Sequence, residues 1–147
     1  MKIKALFALA VMTVSFVVPS ISFAADATVN AEVRVFNPAI VYIQPGDTVH
    51  WNNMTSHNSV AYLTPEGSAG WGEHGKLPGA SFSATPDKPG IYGYACEPHV
   101  GFGMVGVVVV GDVSADDVAA AKKKAMDTLQ GPFKRIIGKI NKIKPTK

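Results

Sequence analysis

Ile91-Tyr92-Gly93-Tyr94-Ala95-Cys96, Glu97-Pro98-His99-Val100-Gly101-Phe102-Gly103 and Met104-Val105-Gly106-Val107-Val108-Val109-Val110 follow one another as strand, loop and strand. The last run is β-branched and lacks any polar side chain, which predicts a strand buried on both faces. Upstream, Ala80, Phe82 and Ala84 alternate with Ser81, Ser83 and Thr85 before the turn Pro86-Asp87-Lys88-Pro89-Gly90. That period of two marks a strand with one buried face. Ser59–Leu63 and Thr48–Trp51 read as further strands, Ile40–Ile43 as another, and Gln44-Pro45-Gly46-Asp47 as a turn. Val29, Ala31, Val33 and Val35 alternate with Asn30, Glu32, Arg34 and Phe36 up to the break at Asn37-Pro38, which predicts a first strand with one buried face. Thr64–Gly79 holds two prolines and five glycines without helical periodicity, so it is expected to be a long surface loop. Strands at this spacing without intervening helices indicate an antiparallel β-sandwich or barrel.

Beyond Gly111 the character changes. Ser114 is positioned as an N-cap with Asp117 three residues on, and Ala115–Leu129 is rich in Ala and Lys. Gly131-Pro132 ends that helix. Phe133, Ile136, Ile137, Ile140 and Ile143 then share a stripe opposite Lys134, Arg135, Lys139 and Lys142. The stripe fits a helix capping the sandwich better than a cationic membrane helix, because so short a helix has little apolar area with which to hold a bilayer. Membrane contact is therefore not expected.

At the other end, Lys2 and Lys4 precede an apolar run from Ala5 to Val18, and Ser22-Phe23-Ala24 supplies small residues at the cleavage-determining positions. Residues 1–24 are expected to be a signal peptide cleaved after Ala24, which exports the protein. Residues 25–111 then form the domain and residues 112–147 a helical extension packed on it. A hydrophobic fraction of 47% in 147 residues supports one buried core, and excludes wholesale disorder. The formal net charge of +3 is unevenly placed: residues 25–111 carry three bases and seven acids, residues 112–147 nine bases and four acids. An acidic domain repels phosphate and the basic tail lacks stacking aromatics, so no nucleic-acid partner is expected.

Cys96 is the only cysteine and cannot form an internal disulfide. His99 and Met104 follow it within eight residues, and thiolate, imidazole and thioether together suit copper. Zinc is disfavoured because a thioether is a poor zinc ligand. A Cys/His hydrolase is disfavoured because a cysteine held between strand ends offers a substrate little access. A fourth ligand has three histidine candidates. His50 alternates with Val49 and Trp51 and should point to water, and His74 sits in the Gly-rich loop. His57, in Ser56-His57-Asn58-Ser59, ranks first.

The ligand stretch Tyr94–Gly106, with Pro45-Gly46-Asp47-Thr48-Val49 and His57-Asn58 upstream, resembles the type 1 copper cupredoxins, and among them the pseudoazurin branch, since two helices follow the last strand. The resemblance implies a Greek-key cupredoxin β-sandwich with a C-terminal two-helix extension. It implies His57, Cys96 and His99 as equatorial copper ligands and Met104 as the weak axial one. It makes Asn58 the residue that steadies the ligand loop. The implied protein is a periplasmic, non-enzymatic carrier of single electrons, and a monomer is expected. Its implied partners are redox proteins such as a nitrite reductase or c-type cytochromes, docking near His99. The alternative is a copper-binding or copper-delivery protein on the same fold. Around His99, Pro98, Val100 and Phe102 suggest a small apolar docking patch. One departure stands out: pseudoazurins typically carry lysines around the copper face, whereas residues 25–111 contain only Lys76 and Lys88, and Glu97 occupies the loop itself. The basic charge lies in the tail, so electrostatic steering is expected to be weak or of different sign.

Overall fold

A computed structural model of the chain describes residues 25–71 and 79–147. The expected signal peptide, residues 1–24, and His74 lie outside the described residues. Among the described residues, eight strands form two four-stranded sheets. In the first sheet the order is β2 (Phe36–Asn37), β1 (Ala27–Ala31), β4 (Val49–Asn52), β6 (Phe82–Ala84). In the second it is β3 (Ile40–Ile43), β8 (Val105–Val110), β7 (Gly90–Ala95), β5 (Val60–Leu63). The sheets are mixed and not purely antiparallel as expected: β1 runs parallel to β4 and β3 parallel to β8. The chain leaves β1 through β2, visits the second sheet as β3 and returns as β4. That excursion reverses direction twice and supplies the crossover a parallel pair needs.

The strand pattern decides which residues meet. Val29, Trp51, Tyr92, Tyr94, Val108 and Val110 fill the space between the sheets, together with Cys96 and Met104. The opposite face of the second sheet presents Leu63, Ile91, Ala95, Val105, Val107 and Val109. Every residue of β8 is buried, as expected, and the helices are the reason. Helix α1 (Ala115–Thr128) and helix α2 (Arg135–Ile140) cover that second face with Ala125, Leu129, Ile136, Ile140 and Ile143. Ser114 caps α1 reciprocally: its Oγ accepts from the Asp117 N–H at 3.1 Å, and its own N–H donates to Asp117 Oδ2 at 2.8 Å. Gly131 and Pro132 break the path into a tight turn before α2. A six-residue helix has no stability of its own, so packing must supply it. The apolar stripe accordingly faces the sandwich while Lys134, Arg135 and Lys142 stay exposed. No helix among the described residues is long and apolar enough to cross a membrane.

The first strand differs from expectation. It ends at Ala31, where the Glu32 N–H donates to the Val35 carbonyl at 2.9 Å and closes a turn. Phe36 then enters the core on the returning strand. The turn resets the alternation, leaving Val33 82% and Val35 49% exposed. Periodicity alone could not detect this, because the apolar residues keep their spacing through the reversal. Trp71 likewise departs from the surface-loop reading: it is buried, and its Nε1–H donates to Ser59 Oγ at 3.2 Å.

Ile136 is fully buried, and its Cγ2 occupies the space above Gly93, 2.5 Å from where a Cβ there would sit. Ile136→Ala is expected to cost about 2–5 kcal/mol in chemical denaturation. Met126→Ala, at an exposed position on α1, should stay within about 0.5 kcal/mol. Equal effects would contradict the packing of α2 on the sheet.

Candidate metal centre

Two separate segments converge at one end of the sandwich. Cys96 directly follows β7, a tight turn spans Glu97–Phe102, and Met104 directly precedes β8. Within this loop the Cys96 N–H donates to the Met104 carbonyl at 3.0 Å and the His99 N–H to the Cys96 carbonyl at 3.0 Å. The Met104 N–H donates to the His99 carbonyl at 3.3 Å. Gly103 ends the turn at φ 95°, a left-handed conformation suited to glycine. The second segment, ahead of β5, carries His57, whose N–H donates to the Met54 carbonyl at 2.9 Å.

Asn58 joins the two. Its Oδ1 accepts from the Glu97 N–H at 2.7 Å and its Nδ2 donates to Glu97 Oε2 at 2.7 Å. Tyr62 donates its hydroxyl to the other Glu97 oxygen, Oε1. The role expected for Asn58 is therefore visible as a clamp on the ligand loop, whereas Tyr62 carries no sequence signal that would have revealed its part. Gly79 is a second residue missed by sequence reading. A Cβ there would sit 1.6 Å from the Met54 carbonyl oxygen and 2.2 Å from that of His57, so this close backbone approach requires glycine. One glycine among the five of a Gly-rich loop gave no hint of it.

The clamp brings three ligand-type atoms together. Cys96 Sγ lies 3.6 Å from His57 Nδ1 and 3.4 Å from His99 Nδ1. One ligand atom from each of the three residues lies within 4.8 Å of the other two, and the imidazole centroids are 4.8 Å apart. A metal ion bonded at roughly 2.0–2.3 Å to nitrogen and sulfur spans about this separation, so the cluster fits one ion. Cys96 and Met104 are fully buried and His57 nearly so, while His99 is half-buried and is the part of the cluster that reaches the surface. One sulfur thiolate precursor, two imidazoles and a thioether form the soft set that favours copper over zinc or calcium. His57, Cys96, His99 and Met104 are arranged as a type 1 copper site. His50 is elsewhere, on β4, with Nδ1 2.6 Å from Ser83 Oγ and Nε2 3.2 Å from Asp26 Oδ2.

The electrostatics follow from burial. Removal from water pushes the Cys96 thiol up, and the Glu97 charge adds to this, while N–H groups of Asn58 and His99 oppose it. Burial also lowers His57, with the nearby His99 contributing. The pocket thus prefers a neutral imidazole and a protonated thiol until a cation takes the place of the thiol proton.

One expectation about the surface requires correction. Val100 packs inward among the residues beneath the helices, so only Pro98 and Phe102 of the expected patch are exposed. Part of the basic tail lies beside the ligand loop. Arg135, Lys139 and Lys142 line a cleft with Gly103 and Val105, on either side of Met104. Folding of α2 against β8 returns positive charge to the end of the molecule from which the sandwich sequence lacks it.

Residues 23–111 match the family model of copper binding proteins, plastocyanin/azurin family. The chain is 35% identical over 109 residues to a pseudoazurin of Paracoccus pantotrophus, covering 69% of this chain and 73% of that protein. It is 43% identical over 84 residues to a chloroplastic plastocyanin of Tetradesmus obliquus, covering 52% and 58% respectively. The crystal structure of pseudoazurin from Methylobacterium extorquens AM1 superposes with a TM-score of 0.61 at 28% identity, covering 82% of this chain and all of that one.

Burial first, then the Glu97 hydrogen bond and charge, push Tyr62 up to about 12. Glu97→Gln is expected to bring the Tyr62 titration down without reaching the ordinary value, since burial remains; tyrosinate absorbance during an alkaline titration reads this. Because the folded value is raised, Tyr62 contributes stability fully below pH about 10 that is lost as pH rises towards 12. An unshifted titration in Glu97→Gln would contradict the Tyr62–Glu97 bond.

Proposed function

The chain belongs to the plastocyanin/azurin family of copper-binding electron carriers, and from that membership we propose that it works in the periplasm, passing single electrons between respiratory redox proteins. His57, Cys96, His99 and Met104 would hold the copper ion. The observation that carries this reading is the convergence of both Nδ1 atoms on a fully buried, solitary thiol within one clamped pocket. Copper bound there supplies a one-electron couple.

The protein's own residues provide everything else. Cys96 and Met104 are anchored at the ends of adjacent paired strands, so their spacing is set by the β7–β8 ladder. Asn58 fixes the His57 segment against the ligand loop through Glu97. Trp51, Tyr94 and Val108, in the same apolar core as Cys96 and Met104, exclude water from the inner side. A centre held in one geometry and shielded in this way opposes electron transfer with little rearrangement. The same burial leaves a substrate no route to the sulfur, which supports a carrier and not an enzyme.

Electrons leave by His99, beside exposed Phe102 and Pro98. Arg135, Lys139 and Lys142 flank this end and favour partners with an acidic face. A nitrite reductase or a c-type cytochrome bearing such a face would be a suitable partner. The carrier acts as a monomer and reaches the periplasm through removal of residues 1–24.

The Cu(II)-loaded protein is expected to show an intense thiolate-to-copper visible band that bleaches on reduction and is absent from Cys96→Ala. Only weak copper bands in the unaltered protein would contradict the ligand assignment. Terminal sequencing of protein from the periplasmic fraction should begin at Ala25; recovery of the intact leader would contradict cleavage.

A further inference from the structure

The turn that displaces Val33 and Val35 from the core reaches the ligand loop through Arg34. Arg34, between them, lays its guanidinium over the Phe102 ring, with Cζ 4.2 Å from the ring centroid. The Phe102 and His99 rings are 6.4 Å apart between centroids. Val33, Val35 and Phe102, with exposures of 82%, 49% and 61%, are three of the five large apolar side chains exposed among the described residues, and Arg34 ties them together. Isolated exposed apolar residues need no explanation, but a continuous group does. Nothing in the fold uses it: the turn closes through backbone hydrogen bonding and Phe36, not the valines, enters the core.

We propose that the Glu32–Val35 turn and Phe102 form a single docking face for a protein surface that presents a carboxylate within apolar surroundings, with Arg34 as the residue that selects it. Contact with the ring does not use up the five N–H donors of a guanidinium, which remain suited to a bidentate carboxylate. The ion pairs among the described residues are His50–Asp26, Lys123–Asp127 and Lys147–Asp117, and Arg34 takes part in none of them. Among the described residues, Glu32 and Glu97 are already engaged: Glu32 accepts from Asn37 Nδ2 at 2.7 Å, and Glu97 from Asn58 and Tyr62. The charge held among exposed apolar side chains thus calls for an anionic group from outside. The face is continuous with the proposed electron exit and rests on the carrier reading for its use, though not for its binding.

The test is a two-dimensional amide NMR titration of the whole protein in its reduced form, which is diamagnetic with or without copper. Phenylacetate serves as the probe, since it joins an aromatic group to a carboxylate; benzylammonium is the oppositely charged control. Saturable shifts are expected at Val33, Arg34, Val35 and Phe102 with phenylacetate and not with benzylammonium. Arg34→Gln and Arg34→Lys should each weaken binding several-fold, the second because an ammonium lacks the planar fork. Shifts centred on Arg135, Lys139 and Lys142, no saturable shifts, or equal binding by Arg34→Gln would overturn the proposal. In the copper-loaded protein, stopped-flow oxidation by hexacyanoferrate(III) should slow several-fold in Arg34→Gln at low salt and converge with the unaltered protein at high salt. Loss of the visible copper band in the unaltered protein would instead count against the carrier reading and leave the binding result standing.

Discussion

Asn58 gives both ends of its carboxamide to Glu97, and through this pair a segment ahead of β5 is fixed to a loop 39 residues further along. His57 is the neighbour of one partner and Cys96 the neighbour of the other. The clamp therefore sets the separation between imidazole and thiol as directly as covalent geometry permits. Asn58 itself is almost entirely buried. A buried carboxamide stripped of its partners costs about 1–3 kcal/mol, so the fold tolerates little slack in this joint.

The clamp works because the elements beneath it are held on both sides. One face of the second sheet closes on the first sheet, and the other is covered by α1 and α2. The ligand loop thus springs from two strands, β7 and β8, that no solvent-exposed face leaves free to flex. The tail that provides this cover also carries the cations that lie beside Gly103. Mechanical support for the site and cationic charge beside its loop come from the same C-terminal tail.

Much of this was legible in the sequence because it rests on local pattern. The valine run predicted a doubly buried strand, Ser114 and Asp117 predicted a capping box, and the Cys96, His99 and Met104 spacing marked the metal loop. The features that escaped were those that depend on contacts distant in sequence or on a reversal that preserves periodicity. Val33 and Val35 kept their alternation through a turn, so pattern placed them inside. Tyr62 and Gly79 act through contacts with segments distant in sequence. Val100 had the same apolar character as Phe102, and only the packing of the helices separates their fates.

The central claim is that the clamped pocket keeps one coordination geometry while an electron arrives and departs. X-ray absorption at the copper edge, on the protein loaded and then taken through oxidation and reduction, tests it most directly. The account expects one sulfur at short range and two nitrogens in both states, with distances nearly unchanged. Loss of a nitrogen ligand on reduction, or a shell without short sulfur in the oxidised state, would contradict it.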